Sequence, residues 1–242
     1  VSDEHVGSVL KKIVKTKKII LTEKPIGLSY LEAKKNLDEA IKNKTKLFIA
    51  LNRRYYPSTM ELQKILSKKL SQNKRVLEVF DCQIKRSFIK LKKHKKVIES
   101  LMYANSVHLI DYFSMFCRGE LKEIKNITTN KKNSEIIFSI IKFSSGDIGY
   151  YHCSWNQNSR WKIKLTIKDF KEWTFQPLES LSEFDQKLNK LNFIKNYKYK
   201  FKPGLEGIVN DLINQFYKKK NNLVSPKEHL KTIKIINKIY GK

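Results

Sequence analysis

Two short stretches of the sequence combine residue types that can move a proton. The first, Glu23-Lys24-Pro25, follows an apolar run, residues 18–21, that reads as a short buried strand. The proline restricts the residue before it to extended geometry. A lysine desolvated among apolar neighbours can serve as proton donor or acceptor near neutral pH. Lys24 is one of 44 lysines, however, so the pattern alone does not separate it from a surface lysine.

The second stretch is "NSVHLIDYF", residues 105–113. It predicts a helix on which His108, Asp111 and Tyr112 share one face, with Asn105 a turn earlier. Such a histidine can relay a proton, although a lone helical histidine is more often a hydrogen-bonded structural residue. The chain has no metal-binding motif, and its acids are too scattered to read as a glycosidase pair. We therefore expect no metal dependence.

The elements around Lys24 predict a parallel sheet. Residues 4–17 have the apolar spacing of an amphipathic helix, and residues 46–52 read as a second buried strand. Between the strands, residues 28–44 predict a helix with a capping box from Ser29 to Glu32. We expect its inward face to consist of Leu31, Leu37, Ala40 and Ile41. Since ligands bind at the carboxyl ends of parallel strands, a site is expected near Lys24 and the "NRRY" that begins at Asn52.

From Pro57 onward the pattern changes to an α+β domain. Residues 58–70 and 97–116 predict helices, residues 75–84 a strand, and the basic stretch 85–96 a loop. Five alternating segments then predict strands of a large open, mainly antiparallel sheet with short turns at 144–147 and 156–159. The five segments are residues 122–129, 135–143, 148–155, 161–167 and 171–177. Two helices, 204–220 and 225–240, close the chain, the second with Pro226 in its first turn.

The formal charge of +27 suggests nucleic acid, but its make-up argues otherwise. Only six of the 50 basic residues are arginine, the residue that base readout favours, and the lysines are spread evenly. We therefore consider nucleic acid an improbable partner and expect an evenly basic, solvated surface. Three widely spaced cysteines, no apolar run of membrane-spanning length and no signal peptide predict a cytoplasmic protein.

Several of these stretches, in order, resemble the Gfo/Idh/MocA oxidoreductases. "EKPIGLSYLEAKKNLDEA" is similar to the family's EKP motif, residues 52–57 to its N-R-R-aromatic-x-P strand end, and "NSVHLIDYF" to its His-x-x-Asp helix. "QPLESL", "FKPGLEG" and the last sixteen residues resemble its later sheet and closing helices. The resemblance implies a Rossmann-type dinucleotide-binding domain, here its C-terminal part in residues 1–56. It also implies a substrate-binding and oligomerisation domain in residues 57–242, with the last helix able to pack on the first domain.

The resemblance also implies chemistry and roles. Members transfer a hydride between NAD or NADP and a sugar, here expected to be an amino or nucleotide sugar for surface polysaccharide. Lys24 matches the lysine that binds the substrate hydroxyl, and His108 the histidine that relays the proton. A homo-oligomer through the open sheet is expected, with no membrane or metal partner. The residues assigned to the cofactor are Ser2, Glu23, Lys24, Pro25 and Asn52, and those assigned to the substrate are Arg54, Tyr55, Asn105 and His108.

Two departures from the family pattern leave alternatives open. Ala104 stands where many members carry an acid, and Asn105 beside it can orient a group but cannot transfer a proton. No G-x-G-x-x-G turn occurs in the sequence, and "VSDEH" resembles the end of a fourth strand. We therefore expect an N-terminally truncated enzyme that by itself binds the cofactor poorly. The alternatives are a non-catalytic sugar-binding or scaffold protein of the same fold and, less plausibly, a basic nucleic-acid-binding protein.

Overall fold

The chain forms two compact units. The computed structural model describes residues 1–16, 18–69, 73–128, 136–155, 160–167, 171–185, 187–195 and 201–241. The first unit holds Val1–Asn52, Arg86–His108 and Leu205–Lys242, and the second holds Arg53–Lys85 and Leu109–Gly204. Among the described residues, no helix is both long enough and apolar enough to cross a membrane.

Helices and strands alternate in the first part of the chain, and strands dominate the second. The helices are α1 Val6–Ile13, α2 Tyr30–Lys42, α3 Pro57–Lys69, α4 Lys85–Lys90, α5 Lys95–Glu99, α6 Val107–Phe116, α7 Leu205–Phe216 and α8 Pro226–Tyr240, with a 3-10 helix at Asn52–Tyr55 and a π-helix at Met102–Ser106. The strands are β1 Ile20–Thr22, β2 Leu47–Ile49, β3 Arg75–Gln83, β4 Leu121–Thr128, β5 Ile136–Phe143, β6 Ile148–Trp155, β7 Lys162–Ile167, β8 Lys171–Phe175, β9 Leu181–Asp185 and β10 Lys190–Lys195.

The first unit contains a small parallel sheet, as predicted. β1 and β2 pair in register from Ile20 opposite Leu47 to Thr22 opposite Ile49. The ladder extends one step further, because the Ala50 N–H donates to the Thr22 carbonyl at 2.8 Å. The carboxyl ends of both strands therefore lie at the same edge of the sheet. α8 packs on α2 and β2, and the Val224 carbonyl just before it accepts from the Ile49 N–H at 3.0 Å.

The inward face of α2 differs from the prediction. Ser29 caps the helix as expected, its hydroxyl accepting from the Glu32 N–H at 3.2 Å, and Leu37 and Ala40 are buried. The prediction that Leu31 and Ile41 face inward was wrong, since these side chains are 77% and 42% exposed.

The reason is a polar residue that sequence patterning excluded from the core. Asn36 is only 3% exposed, and its Nδ2 donates to the carbonyls of Gly7 at 3.1 Å and Ile26 at 2.9 Å. This amide ties α2 to the main chain of α1 and of the segment after β1. The helix is thereby rotated so that Ala33 and Asn36, rather than Leu31, face the interior.

The second unit is built on an eight-stranded open sheet of order β10-β9-β8-β7-β3-β6-β5-β4. Only β3 and β6 are parallel neighbours, so the sheet is mainly antiparallel, as predicted. All five predicted strands are present, and the predicted turn at 144–147 joins β5 to β6. The predicted turn at 156–159 lies outside the described residues. β9 and β10 were not among the predicted strands.

α6 packs closely against the inner face of this sheet. Phe113 and Tyr151 meet edge to face with ring centroids 6.5 Å apart. Gly149 on β6 makes this approach possible, because a Cβ atom there would lie 2.6 Å from Phe113 Cε1. The aromatic side chains of α6 thus fill the space over the middle of the sheet.

The prediction that the basic stretch 85–96 forms a loop was wrong. The stretch contains α4 and the start of α5, which His94 caps by accepting from the Lys96 N–H at 3.2 Å. Lysine and arginine have good helix propensity, so a basic composition does not oppose a short helix. The predicted helix 97–116 is also interrupted, because the π-helix separates α5 from α6.

The buried carboxylate of Asp147 anchors the first residue of β3 to the turn before β6. Asp147 Oδ1 accepts from the Arg75 N–H at 3.0 Å and Arg118 Nη2 at 2.7 Å. Its Oδ2 accepts from the Arg118 N–H at 2.8 Å and Nε at 3.0 Å. Burial alone would raise the pKa of Asp147, but the hydrogen bonds from Arg118 and Arg75 outweigh it and hold the pKa below its ordinary value of 3.8.

Asp147 should therefore make the second unit sensitive to acid. Because the folded pKa is depressed, its stabilisation is present above the ordinary pKa and is lost as pH falls through the folded pKa. We expect Asp147→Asn to lower the free energy of unfolding by about 2–3 kcal/mol at pH 6, with a smaller difference at pH 3. All three tryptophans lie in the second unit, so urea unfolding followed by tryptophan fluorescence measures it. Glu61→Gln on α3 is the control, and equal losses in both variants would contradict the assignment.

The rotation of α2 can be tested by exchanging polar and apolar character at two positions. Asn36→Leu removes both hydrogen bonds to main-chain carbonyls and should destabilise the helix by about 2 kcal/mol. Leu31→Asn changes an exposed side chain and should alter stability by less than about 0.5 kcal/mol. Hydrogen exchange of the α2 amides measures both effects locally. A larger loss in Leu31→Asn than in Asn36→Leu would restore the predicted helix face.

Candidate active site

Lys24 lies directly after β1, at the carboxyl edge of the parallel sheet. Its side chain is half-buried, and Nζ donates to the Ala104 carbonyl oxygen at 2.6 Å. The Lys24–Pro25 peptide bond is cis, and Pro25 is buried. A short bond from an ammonium to a carbonyl is charge-assisted and directional, so it orients the Lys24 head group.

The acceptor belongs to the segment that carries the other proton-moving candidate. Ala104 lies in the π-helix, which continues without a break into α6. His108 is the second residue of α6 and is 6% exposed, while Asn105 is partly exposed within the π-helix. Short π-helical insertions are frequent at functional sites because they change which main-chain groups a helix presents. The first unit therefore ties Lys24 to a carbonyl four residues before His108.

This carbonyl was missed by sequence reasoning. Position 104 drew attention because the resemblance implied an acid there, and alanine offers no titratable side chain. The main chain supplies an acceptor to the lysine instead. Every residue carries a carbonyl, so no residue type signals this role, and only the fold reveals it.

The predicted cofactor residues occupy different surroundings. Glu23 is exposed next to Lys24, and Asn52 is buried at the start of the 3-10 helix that follows β2. Both come after the carboxyl ends of paired strands, so they lie at the same edge of the sheet. Ser2 is exposed, and its hydroxyl donates to Glu4 Oε1 at 3.0 Å.

The glycines of α1 and of the segment after β1 are occupied by helix contacts. A Cβ atom at Gly7 would lie 2.3 Å from Glu32 Oε1, and one at Gly27 would lie 2.6 Å from the Ala33 nitrogen. The missing side chains make room for the start of α2. Neither glycine opens a space in which main-chain N–H groups could surround a phosphate.

Two of the predicted substrate residues lie in the second unit. Arg54 Nε donates to Asp111 Oδ2 at 2.6 Å, and its Nη2 donates to Asp111 Oδ1 at 2.8 Å. This two-pronged pair is nearly buried, with side-chain exposures of 11% and 2%. Tyr55, the residue that follows Arg54 in the chain, is also buried. The sequence indicated both Arg54 and Asp111 as notable residues but not their pairing, which links the 3-10 helix to α6.

Within the described part of the chain, no three His, Cys, Asp or Glu side chains are grouped so that they could hold a metal ion. The first unit thus presents an oriented lysine head group at Lys24 and a buried imidazole at His108.

Comparison with known proteins finds similarity in structure rather than in sequence. No family model matches the chain, and no curated protein sequence matches it. Levoglucosan dehydrogenase, solved with NADH and L-sorbose, aligns with a TM-score of 0.77 and 13% identity over 100% of this chain and 75% of its own. UDP-N-acetylglucosamine 3-dehydrogenase GnnA from Acidithiobacillus ferrooxidans aligns with a TM-score of 0.75 and 12% identity over the same shares, 100% and 75%.

A third solved structure has the same architecture. The WlbA dehydrogenase from Bordetella pertussis, in complex with NADH and UDP-GlcNAcA, aligns with a TM-score of 0.71 and 12% identity over 100% of this chain and 74% of its own. These structures are dehydrogenases of the Gfo/Idh/MocA type. Identities this low show a shared fold, and the predicted combination of a parallel α/β part and an open, mainly antiparallel sheet is thereby confirmed.

Proposed function

We propose that the chain belongs to an oxidoreductase that oxidises or reduces a carbinol group of a sugar with NAD or NADP. The observation that carries the proposal is the bond from Lys24 Nζ to the Ala104 carbonyl, which fixes the lysine to the segment that bears His108. The fold shared with sugar dehydrogenases supports it. Fold alone does not imply function, so the proposal rests on these residues.

In this proposal Lys24 and His108 handle the hydroxyl proton. Oxidation of a carbinol releases a hydride and a proton, and a nicotinamide ring, when bound, takes up the hydride. The Lys24 ammonium donates a hydrogen bond to the sugar oxygen and stabilises the negative charge that develops on it. His108 accepts the proton from the hydroxyl and passes it on, returning it in the reverse direction.

The remaining site residues have supporting roles. Asn105, which is partly exposed, orients a sugar hydroxyl. The substrate roles that the family resemblance implies for Arg54 and Tyr55, both in the second unit, stay predictions. The nicotinamide end of the cofactor would be held by Ser2, Glu23, Lys24, Pro25 and Asn52. The pyrophosphate is different: the sequence contains no G-x-G-x-x-G, and Gly7 and Gly27 are filled by α2. We therefore propose that the 242 residues are an N-terminally truncated form of the enzyme. This form would bind a dinucleotide weakly.

The substrate is proposed to be an amino or nucleotide sugar, in cytoplasmic synthesis of surface polysaccharide. Two structural neighbours support this class, because one is UDP-N-acetylglucosamine 3-dehydrogenase GnnA and the other, WlbA, was solved with UDP-GlcNAcA. A non-catalytic sugar-binding or scaffold protein of the same fold is the alternative, favoured by Ala104 in place of the usual acid. The enzyme and the non-catalytic protein differ in whether they turn over a sugar. A nucleic-acid-binding protein, the less plausible alternative, would bind DNA or RNA with an affinity that falls steeply as the salt concentration rises.

Replacement of Lys24 tests the enzyme directly. In the longest in-frame product of the gene, with NADH or NADPH and UDP-linked sugars, Lys24→Ala should lower turnover by roughly 10²–10⁴-fold, because the hydroxyl loses its charged partner. Lys35→Met, an exposed lysine on α2, is the matched control and should leave turnover unchanged. Cofactor consumption followed by absorbance measures both.

Two results would contradict the proposal. An active Lys24→Ala enzyme would remove Lys24 from the mechanism. A folded wild-type product that neither binds NADH nor turns over any sugar tested would favour the non-catalytic alternative. The 242-residue chain serves as a reference in the same titration, where weak NADH binding is expected.

We further propose that the outer face of the large sheet joins copies of this chain. Cross-strand pairing aligns three rows of side chains on this face: Ile127, Phe138, His152, Phe80 and Lys162; Lys125, Ile140, Tyr150, Glu78 and Lys164; and Glu123, Lys142, Ile148, Val76 and Thr166. The first row is mostly aromatic and aliphatic. His152 stacks on Phe138 with ring centroids 4.4 Å apart, and burial lowers the pKa of His152, which favours the neutral ring at pH 7.

The lysines on this face are largely paired, which matters for a chain of charge +27. Lys164 lies 2.6 Å from Glu78, and Lys142 and Lys125 lie 3.1 and 3.5 Å from Glu123. Paired charges oppose the approach of a like-charged copy less than unpaired ones do. The apolar row and the paired lysines beside it therefore suit self-association.

A charge placed in the apolar row should separate the copies. Phe138 is 48% exposed, and Phe138→Lys should convert the oligomer to monomer, because association would bury an unpaired ammonium. Leu31→Lys, an equally drastic change on the exposed face of α2, should leave the oligomer intact. Sedimentation velocity at matched protein concentration distinguishes them. A wild-type monomer at all concentrations, or equal dissociation in both variants, would disprove this interface.

A further inference from the structure

A cavity in the second unit gathers an unusual share of the arginines. It has a volume of about 230 Å³, and its lining includes Arg53, Arg160, Trp161, Tyr56 and Glu179. Two of the six arginines of the chain line it, whereas none of its described lining residues is one of the 44 lysines. Where lysine outnumbers arginine this strongly, two arginines in one cavity indicate a need for the planar guanidinium rather than for charge alone.

Arg53 occupies the buried part of this cavity. Its guanidinium lies over the Trp161 ring, 4.6 Å from the ring centroid. Its Nε is buried and has no hydrogen-bond partner among the described residues. Burial lowers the pKa of Arg53, and the nearby acidic groups, Glu179 among them, counteract this only through space. A buried guanidinium N–H without a hydrogen-bond partner is costly, and a bound oxyanion would satisfy it.

Two other arginines of the second unit show the arrangement that Arg53 lacks. Arg54 forms two hydrogen bonds with the carboxylate of Asp111, and Arg118 does the same with Asp147. In both pairs the fork of the guanidinium is matched by two oxygens of the protein itself. The Arg53 guanidinium stacks on Trp161, and no carboxylate of the described residues pairs with its fork.

We propose that this cavity binds a phosphate or diphosphate group. The lining holds two guanidinium groups, Arg53 and Arg160, and one carboxylate, Glu179, so the cavity retains a net positive charge toward an entering oxyanion. Arg53 provides a stacked, preoriented fork, and the exposed Arg160 provides a second one. Bidentate bonds to phosphate oxygens are the geometry in which arginine exceeds lysine.

The phosphate can come from two sources. One is the diphosphate of a nucleotide-linked sugar, which would make the cavity a substrate site of the enzyme proposed above. The other is a small phosphate compound that carries no nucleoside. Phosphate binding at this site requires neither hydride transfer nor a nicotinamide cofactor, so the 242-residue chain is sufficient to test it. A negative result in this test would therefore leave the proposed dehydrogenase function standing, and the reverse also holds.

Titration with inorganic pyrophosphate tests the site, followed by calorimetry and by tryptophan fluorescence. Arg53→Lys keeps the charge but loses the fork and the stacking, so it should weaken binding at least about tenfold. Arg160→Lys should weaken it by a smaller factor, about threefold or more. Arg86→Lys changes an exposed arginine on α4 that does not line the cavity, and should leave the affinity unchanged.

Two further variants test the site if Arg53→Lys does not fold, and a second ligand distinguishes the two phosphate sources. If Arg53→Lys does not fold, Arg160→Lys and Trp161→Phe decide, and Trp161→Phe should remove the fluorescence response while the calorimetric signal remains. Tighter binding of uridine diphosphate than of pyrophosphate would support the nucleotide source, and equal binding the other source. No pyrophosphate binding by the folded chain, or equal weakening in Arg53→Lys and Arg86→Lys, would overturn the site.

Discussion

The hydrogen bond from the Lys24 ammonium to the Ala104 carbonyl joins segments 80 residues apart in sequence, and the geometry of the candidate site depends on it. One segment is positioned by the parallel pairing of β1 and β2, which brings the carboxyl ends of both strands to one edge. The other is positioned by the π-helix that leads into α6. A flexible lysine side chain loses substantial rotamer entropy when it is fixed, so a 2.6 Å charge-assisted bond is a strong constraint on where its head group lies.

The identity of the acceptor has a chemical consequence. A carboxylate at position 104 would place a second titratable group beside the lysine, and the two would exchange protons as a coupled pair. A main-chain carbonyl accepts a hydrogen bond at every pH and takes up no proton. The contact at position 104 therefore orients the Lys24 head group without placing a second titratable group beside it.

The features that sequence predicted are those encoded by local pattern. The Ser29 cap, the Pro226 start of α8, the alternation of the central strands and the parallel pairing of β1 with β2 each follow from a few neighbouring residues. The features that it missed depend on partners far along the chain. Asn36 turns inward because two distant carbonyls need its amide, and Ala104 matters because of a main-chain atom that no residue type announces.

Composition explains why arginine is more informative than lysine in this chain. With 44 lysines against six arginines, a position that needs only positive charge or solubility is filled by lysine. Arg54 and Arg118 instead form two-pronged bonds with buried carboxylates, and Arg75 Nη1 donates to the Phe116 carbonyl at 2.8 Å. The two-pronged pairs of Arg54 and Arg118 exploit the fixed fork of the guanidinium, which a lysine cannot reproduce. A strongly biased composition thus makes its rare residue a marker of geometry, and it is this contrast that gives the stacked Arg53 its meaning.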